Sequence, residues 1–255
     1  MLSKNQIKFV NSLKQKKYRE ENGLFIAEGN KIVTELLNSS IDVKQIYATS
    51  EFLRKTKIEA TIERFEIKES ELERISSLST ANEVLAVCQI PSYNLNIETL
   101  KDKLTLVLDD IKDPGNLGTI IRIADWFGIE TIICSSNTTD VYNSKVVQAT
   151  MGSIARIKTY YLDLAEFFNS SKSIIPNPVY GALLEGENIY TSKLSSSGFI
   201  IIGNESKGIS EDIKSFITDK LYIPSFPDNK SGKSEVESLN AAIATSIICS
   251  EFRRR

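Results

Sequence analysis

The chain has 255 residues, of which 41% are hydrophobic and 25% charged, with a formal net charge of −2. These values are typical of a globular protein with one large or two small domains. It contains no histidine, which excludes Ser-His-Asp hydrolysis and histidine-ligated zinc.

No apolar run approaches the ~20 residues that cross a bilayer, and no secretory signal is recognised, so we expect no membrane association. Three widely spaced cysteines, Cys88, Cys134 and Cys249, predict buried, reduced thiols in a cytoplasmic protein without a metal site.

Helices and strands alternate in the first part of the chain, which we define as a small α/β domain over residues 1–95. Helical spacing is predicted near residues 4–18, with further helices ending near residue 37 and spanning residues 51–61. Strands are predicted at residues 24–27, 44–50, 64–70 and 84–90. Residues 1–31 carry seven basic and three acidic residues. This excess suits phosphate contacts, although a merely solubilising surface is the alternative.

Residues 96–103 are polar and are predicted to be a linker to a second domain over residues 104–255. Strand–loop–helix units repeat in this domain. Their strands are predicted within residues 104–111, 131–136, 155–162, 178–186, 199–206 and 220–226. The continuous apolar strands predict an α/β fold with a mainly parallel sheet and helices on both faces.

The segment DDIKDPGNLG, residues 109–118, follows the first of these strands. Asn116 stands where an N-cap is expected, and Arg122 should project beside the loop. The apolar helix face that should pack on the sheet consists of Leu117, Ile120, Ile121, Ala124 and Phe127. A dinucleotide-binding loop needs G-x-G-x-x-G, which is not present, and a plain strand-to-helix turn is the alternative.

Two later loops also follow predicted strands. In IIIGNESKGIS, residues 200–210, Gly203 and Gly208 would let a ligand approach the backbone, and Glu205 could orient a cation or a hydroxyl. The segment PDNKSGKS, residues 227–234, looks like a Walker A loop. However, Pro227 replaces its first glycine, and too few residues follow for a P-loop domain.

Taken together, the loops resemble the SpoU/TrmH family of RNA 2′-O-ribose methyltransferases, within the SPOUT class. The first motif is Asn116-Leu117-Gly118 with Arg122, and the second is Gly203-Asn204-Glu205-x-x-Gly208. The third is Ile223-Pro224 followed by Glu237-Ser238-Leu239-Asn240. The N-terminal part resembles the family's substrate-binding domain at Arg19, Gly23, Phe25, Glu28 and Gly29. Two departures are Ser206, where glycine is usual, and a longer segment between Pro224 and Ser238.

The resemblance implies a deep trefoil knot in the second domain, S-adenosyl-L-methionine as cofactor, and a homodimer with sites at the subunit interface. The implied catalytic residues are Asn116, Arg122, Glu205, Ser238 and Asn240. The implied cofactor-binding residues are Ala182, Leu183, Gly203, Asn204, Gly208, Ile223 and Leu239. We expect RNA contacts at Lys14, Lys16, Lys17 and Arg19.

The predicted reaction is methylation of a ribose 2′-hydroxyl in RNA, with ribosomal RNA favoured over tRNA because a separate N-terminal domain is present. The role of Arg122 has two versions: it removes the 2′-hydroxyl proton, or it stays charged and stabilises the developing alkoxide. The alternatives are a non-catalytic RNA-binding protein that has kept the fold and a base-methylating SPOUT enzyme.

Overall fold

A computed structural model describes residues 1–226 and 238–254, and the chain divides into two units. The first contains residues 1–92 and 140–156, and the second contains residues 93–139 and 157 onward. The predicted linker at residues 96–103 was wrong, because Ile97–Leu100 form a short 3-10 helix and Leu100 is buried in the core of the second unit. Within the described residues, no helix is both long and apolar enough to cross a membrane.

The first unit is built on a four-stranded sheet with strand order β1-β4-β2-β3. β4 is antiparallel to both of its neighbours, and β2 and β3 are parallel. The elements are α1 (Lys4–Ser12), α2 (Lys16–Asn22), β1 (Leu24–Glu28), α3 (Asn30–Leu37), β2 (Val43–Ala48), α4 (Ser50–Lys55), β3 (Glu63–Glu66), α5 (Glu69–Leu72), β4 (Val84–Gln89) and, from the later segment, α7 (Ser144–Ala149). Three strands lie close to their predicted positions, but β3 ends at Glu66 rather than at residue 70, because residues 69–72 form α5.

Arg19 explains two features of this unit that differ from the prediction. Its guanidinium donates to the carbonyl oxygens of Leu13 and Lys14, at 3.0 and 2.9 Å. These carbonyls lie where the helical pattern of residues 4–18 breaks into α1 and α2. Nε also donates to the Asp140 carboxylate at 3.1 Å. Since Arg19 is only 2% exposed, this buried ion pair joins the segment 140–156 to the first unit.

The second unit contains a six-stranded, all-parallel sheet with strand order β10-β8-β9-β5-β6-β7. Its elements are β5 (Leu104–Leu108), α6 (Pro114–Trp126), β6 (Thr131–Ser135), β7 (Lys158–Leu162), α8 (Leu164–Ser171), β8 (Val179–Asn188), β9 (Gly198–Ile202), α9 (Glu211–Lys214), β10 (Asp219–Tyr222) and α10 (Ala241–Arg254). Every residue of β5 and β9 is buried, as expected for central strands covered on both faces. The parallel α/β prediction is therefore confirmed.

α6 begins three residues earlier than the sequence suggested. Pro114 occupies the first turn, and the Asp113 side chain accepts a hydrogen bond from the Asn116 backbone N–H at 2.7 Å. Asp113 is therefore the N-cap, and the prediction of Asn116 as N-cap was wrong. Proline at the first helical position suits this start, because its missing N–H would have no partner there. The Asn116 side chain is consequently available for other contacts.

α6 and α10 lie side by side with their amino-terminal ends together. At these ends the Asn240 side chain donates to the Asn116 side chain. At the other ends, Arg253 donates to the carbonyl oxygens of Phe127 and Gly128, at 2.8 and 3.0 Å. Contacts at both ends fix the position of one helix along the other.

The three cysteines are buried and unpaired, as predicted. Cys88 lies in β4 of the first unit, whereas Cys134 in β6 and Cys249 in α10 belong to the second. Burial raises the pKa of each thiol, for Cys249 to about 12.

Candidate active site

The ends of β5 and β9 lie next to each other at the carboxyl edge of the second sheet, with Leu108 opposite Ile202. The loops that follow these strands carry the first and second sequence motifs. Asp110 adopts a positive φ of 60°, which is uncommon for a residue with a side chain. Its carbonyl oxygen accepts a hydrogen bond from Asn204 Nδ2 at 2.8 Å, so the two loops are joined directly after the strands end.

The loop from Gly203 to Ser210 is closed on itself. Asn204 and Gly208 exchange two backbone hydrogen bonds, of 3.0 and 2.8 Å. Asn204 Oδ1 also accepts hydrogen bonds from the backbone N–H groups of Ser206 and Lys207. A Cβ added at Gly203 would lie 2.3 Å from the carbonyl carbon of Gly208, so only glycine allows this close approach. Serine at position 206 is accommodated in an exposed part of the turn.

Three predicted catalytic residues form one hydrogen-bonded chain. Asn116 Nδ2 donates to the Glu205 carboxylate at 2.7 Å, and Asn240 Nδ2 donates to Asn116 Oδ1 at 2.8 Å. Asn240 is itself fixed, because its Oδ1 accepts hydrogen bonds from the backbone N–H groups of Ala242 and Ile243 at the start of α10. All three sequence motifs are therefore connected through side chains.

The other two predicted catalytic residues lie outside this chain. Ser238 is exposed and lines the cavity described below. Arg122 is exposed on α6, and six residues of helix place its backbone about 9 Å along the axis from Asn116. Among residues 1–226 and 238–254, the Arg122 guanidinium has no hydrogen-bond or ion-pair partner.

A cavity of about 760 Å³ opens beside the second loop. Five of the seven predicted cofactor-binding residues line it: Leu183, Gly203, Asn204, Gly208 and Leu239. Ala182 and Ile223 are half-buried and are not among the lining residues. The volume is within the range of ~300–1,000 Å³ typical of small-molecule sites. The Walker-like residues Gly232, Lys233 and Ser234 lie outside the described residues.

Several polar residues at this edge were not predicted from the sequence. Lys207, Lys214 and Lys220 line the cavity, and Lys214 forms an ion pair with Glu211 at 2.6 Å. No spacing rule connects these lysines, because they come from three different segments. Asp109 is buried and bonded to Ser210. Its position directly after an apolar strand is the feature of the sequence that could have identified it as a buried polar residue at this edge.

The four residues expected to contact RNA differ in their surroundings. Arg19 is buried in the ion pair with Asp140, so we correct its assignment from a surface contact to a structural residue. Lys14 donates to the Ser76 carbonyl oxygen at 2.8 Å. Burial lowers its pKa, partly opposed by the Glu28 carboxylate. Lys16 and Lys17 are exposed, each near a glutamate one helical turn away.

Comparison with known proteins matches residues 103–250 to the SpoU rRNA Methylase family and residues 4–86 to the MRM3-like substrate binding domain. The chain belongs to the SpoU rRNA methylase family. The family match contains the first two motif loops, the cavity and most of α10, so the hydrogen-bonded chain joins segments of the SpoU part alone.

Relatives in this family match the chain over almost its whole length. The 23S rRNA (guanosine(2553)-2′-O)-methyltransferase RlmP of Bacillus subtilis is 29% identical, covering 98% of this chain and 97% of the relative. A TrmH-family structure from Porphyromonas gingivalis has a TM-score of 0.89 and 39% identity, covering 100% and 99% of the two chains. The AdoMet-bound rRNA methyltransferase of Sinorhizobium meliloti has a TM-score of 0.85 and 28% identity, covering 100% and 96%.

Proposed function

We propose that this protein transfers the methyl group of S-adenosyl-L-methionine to a ribose 2′-hydroxyl of RNA, with ribosomal RNA as the substrate class. The observation that carries the proposal is the chain Glu205–Asn116–Asn240, which joins three motifs beside a cavity of suitable size. The names of the B. subtilis and S. meliloti relatives support ribosomal RNA and AdoMet.

The cavity suits the cofactor in its shape and its chemistry. Ile202, Ile209 and Leu239 give it an apolar wall against which an adenine ring can pack. A Cβ added at Gly208 would meet nothing within 4 Å, so a ligand can approach the backbone there. When bound, the cofactor supplies an electrophilic methyl group on a sulfonium.

The polar side chains align the ribose, while the 2′-hydroxyl proton passes to solvent or to an RNA phosphate. In-line displacement needs the 2′-oxygen held in a single orientation, which fixed contacts can provide. Glu205 lines the cavity, and Asn116 fixes one carboxylate oxygen, leaving the other to accept the 2′-hydroxyl. Asn240 prevents rotation of the Asn116 amide by bonding its oxygen. Ser238 adds an exposed hydroxyl at the rim.

We assign Arg122 the second of its two candidate roles, in which it stays charged and stabilises negative charge on the 2′-oxygen and the neighbouring phosphate. Arg122 is exposed, and the planar donors of a guanidinium suit two oxygens at once. Arg122 does not line the cavity of its own chain. This supports a site completed by a second copy of the protein.

A homodimer is accordingly part of the proposal. Trp126 lies one turn after Arg122 on α6, so both project from the same side of the helix. Trp126 is 85% exposed, and Ile243 on the adjacent α10 is 55% exposed. Exposed apolar surface of this kind is suited to association.

Light scattering should give a dimer mass for the natural protein and a monomer mass for Trp126→Glu. The control Ile174→Glu, at another exposed apolar position, should keep the dimer. An unchanged mass for Trp126→Glu would place the interface elsewhere.

Three further features belong to the proposal. Lys16 and Lys17 are suited to RNA phosphates because both are exposed. The family relationship supports a trefoil knot in the second unit. Three unpaired thiols support a cytoplasmic location.

In the decisive test, the purified protein and AdoMet are incubated with ribosomal RNA from cells that lack this protein. We expect one new 2′-O-methylated nucleotide, mapped by ribose-methylation sequencing. Methylation of a base would favour the base-methylating alternative, and RNA binding without transfer would favour the non-catalytic one. Calorimetry should detect S-adenosylhomocysteine binding and no ATP binding. Micromolar ATP affinity would instead support the Walker interpretation.

A further inference from the structure

The loop from Gly203 to Ser210 carries Glu205 and supplies much of the cavity lining, but it is attached to the sheet at few points. Its beginning follows β9 and is held by Asn204, which donates to the Asp110 carbonyl oxygen. Its middle contacts Asn116 through Glu205. Its end at Ser210 precedes α9, which has only four residues. Next to it, Ile209 is 1% exposed and packs in the core of the second unit. Ser210 itself is exposed, so its position depends on a polar attachment.

Asp109 provides that attachment. Its Oδ2 accepts two hydrogen bonds from one residue, from the Ser210 backbone N–H and from Ser210 Oγ, both at 2.7 Å. The Asp109 backbone N–H donates to the carbonyl oxygen of Ile202 at 2.9 Å, so this aspartate continues the β5–β9 ladder. The residue is 5% exposed. A buried carboxylate is unfavourable unless hydrogen bonds compensate it, which makes this contact hard to replace by water.

We propose that Asp109 is a positioning residue for methyl transfer: by holding Ser210, it fixes the loop that presents Glu205 and lines the cofactor cavity. Asp109 acts through Ser210 and is not itself among the cavity-lining residues. The catalytic part of this inference depends on the proposed function, whereas loop order can be measured without it.

The test compares Asp109→Ala, Ser210→Ala and Asp109→Asn with Asn177→Ala. Asn177 is a matched control because it donates to the Leu100 carbonyl oxygen at 3.1 Å, joining two segments that precede strands at the amino edge of the same sheet. Hydrogen–deuterium exchange of residues 203–210, binding of S-adenosylhomocysteine, and kcat at saturating cofactor are measured for each folded variant.

We expect Asp109→Ala to speed exchange in residues 203–210 and to lower both cofactor affinity and kcat at least about tenfold, as loss of charge-assisted hydrogen bonds predicts. Ser210→Ala should have a smaller effect in the same direction, because the backbone N–H still donates. Asp109→Asn should keep most of the activity, since an amide oxygen can accept both bonds. Asn177→Ala should lower stability without changing exchange in the loop or kcat.

Protected amides in residues 203–210 and an unchanged kcat in folded Asp109→Ala would overturn the proposal. An equal loss in Asn177→Ala would overturn it too, because general destabilisation would then be the cause. If Asp109→Ala does not fold, faster loop exchange in Ser210→Ala supports the proposal, and unchanged exchange refutes it. Absence of cofactor binding and methylation in the unaltered protein would refute the proposed function, while the exchange measurement would still decide whether Asp109 orders the loop.

Discussion

Asn116 is the central link of the hydrogen-bonded chain, and its substitution tests the site most directly. Asn116→Ala removes the bond to the Glu205 carboxylate and the bond from Asn240. A hydrogen bond to a charged group contributes about 1.5–3 kcal/mol and a neutral one about 0.5–1.5 kcal/mol. Since Asn116 and Glu205 are only half-buried, we take the combined contribution of the two lost hydrogen bonds as about 2–3 kcal/mol. If this loss falls on the transition state, kcat decreases roughly 30- to 150-fold.

Asn116→Asp separates charge from shape. The new carboxylate still accepts from Asn240 but faces Glu205 without a donor. Two like charges about 4 Å apart at an effective dielectric constant near 20 repel by ~4 kcal/mol. We therefore expect this variant to be less active than Asn116→Ala at pH 8. One proton bound by the pair relieves the repulsion and restores a donor. Its activity should consequently rise as the pH falls from 8 to 6.

The assay is methyl transfer at saturating RNA and cofactor over this pH range, with thermal unfolding to verify the fold. Asn137→Asp is the control for added charge, because Asn137 is exposed after β6 at the same edge of the sheet. Equal or higher activity of Asn116→Asp relative to Asn116→Ala at pH 8 would refute the electrostatic argument. Full activity of Asn116→Ala would remove the hydrogen-bonded chain from the mechanism.

Three further substitutions test separate parts of the structure. Arg122→Ala should lower kcat about 10²-fold or more with little change in cofactor affinity. Arg122→Lys should also lose most of its activity, because an ammonium lacks the planar fork of a guanidinium. Retained activity of the lysine variant would mean that a point charge is sufficient. Gly203→Ala should lose cofactor binding in calorimetry, because its Cβ would collide with the Gly208 backbone. Gly208→Ala, with φ +70° and free space around its Cβ, should cost only about 1–2 kcal/mol of strain. Weaker cofactor binding by Gly208→Ala than by Gly203→Ala would contradict the close approach. Thr105→Val should raise the free energy of unfolding, measured in urea, by about 1 kcal/mol. The reason is that the buried Thr105 hydroxyl has no hydrogen-bond partner among the described residues. A lower free energy of unfolding would show that the hydroxyl does form a hydrogen bond.

The sequence predicted the parts of the structure that depend on local pattern. Apolar runs located β5 and β9, and the order of the loop motifs identified the site before any geometry was known. The start of α6 was misplaced because Asp113 and Asn116 are both good capping residues, and only Pro114 between them favours the earlier start.

Long-range pairing was beyond the same reasoning. Arg19 looked like a surface cation because the residues around it are charged, but its partner Asp140 lies 121 residues later. Together with the Phe25–Tyr142 ring contact and the Glu35–Arg156 ion pair, this pair joins the segment 140–156 to the first unit. Similarly, the lining lysines come from loop, helix and strand, so only the folded chain brings them to one cavity.

Each of the two units contains a buried thiol, so the rate of thiol alkylation can measure local opening in each unit separately. A thiol reacts with an alkylating reagent only as the exposed thiolate, so slow labelling measures how often the surrounding structure opens. Cys88 monitors the first unit, whereas Cys249 monitors α10, whose residues Ala241 and Ala244 line the cavity. A ligand at a hundred times its Kd stabilises the closed state by ~2.7 kcal/mol. S-adenosylhomocysteine should thus slow alkylation of Cys249 about 100-fold and leave Cys88 unchanged, and mass spectrometry of the two peptides would resolve the units without any engineered label.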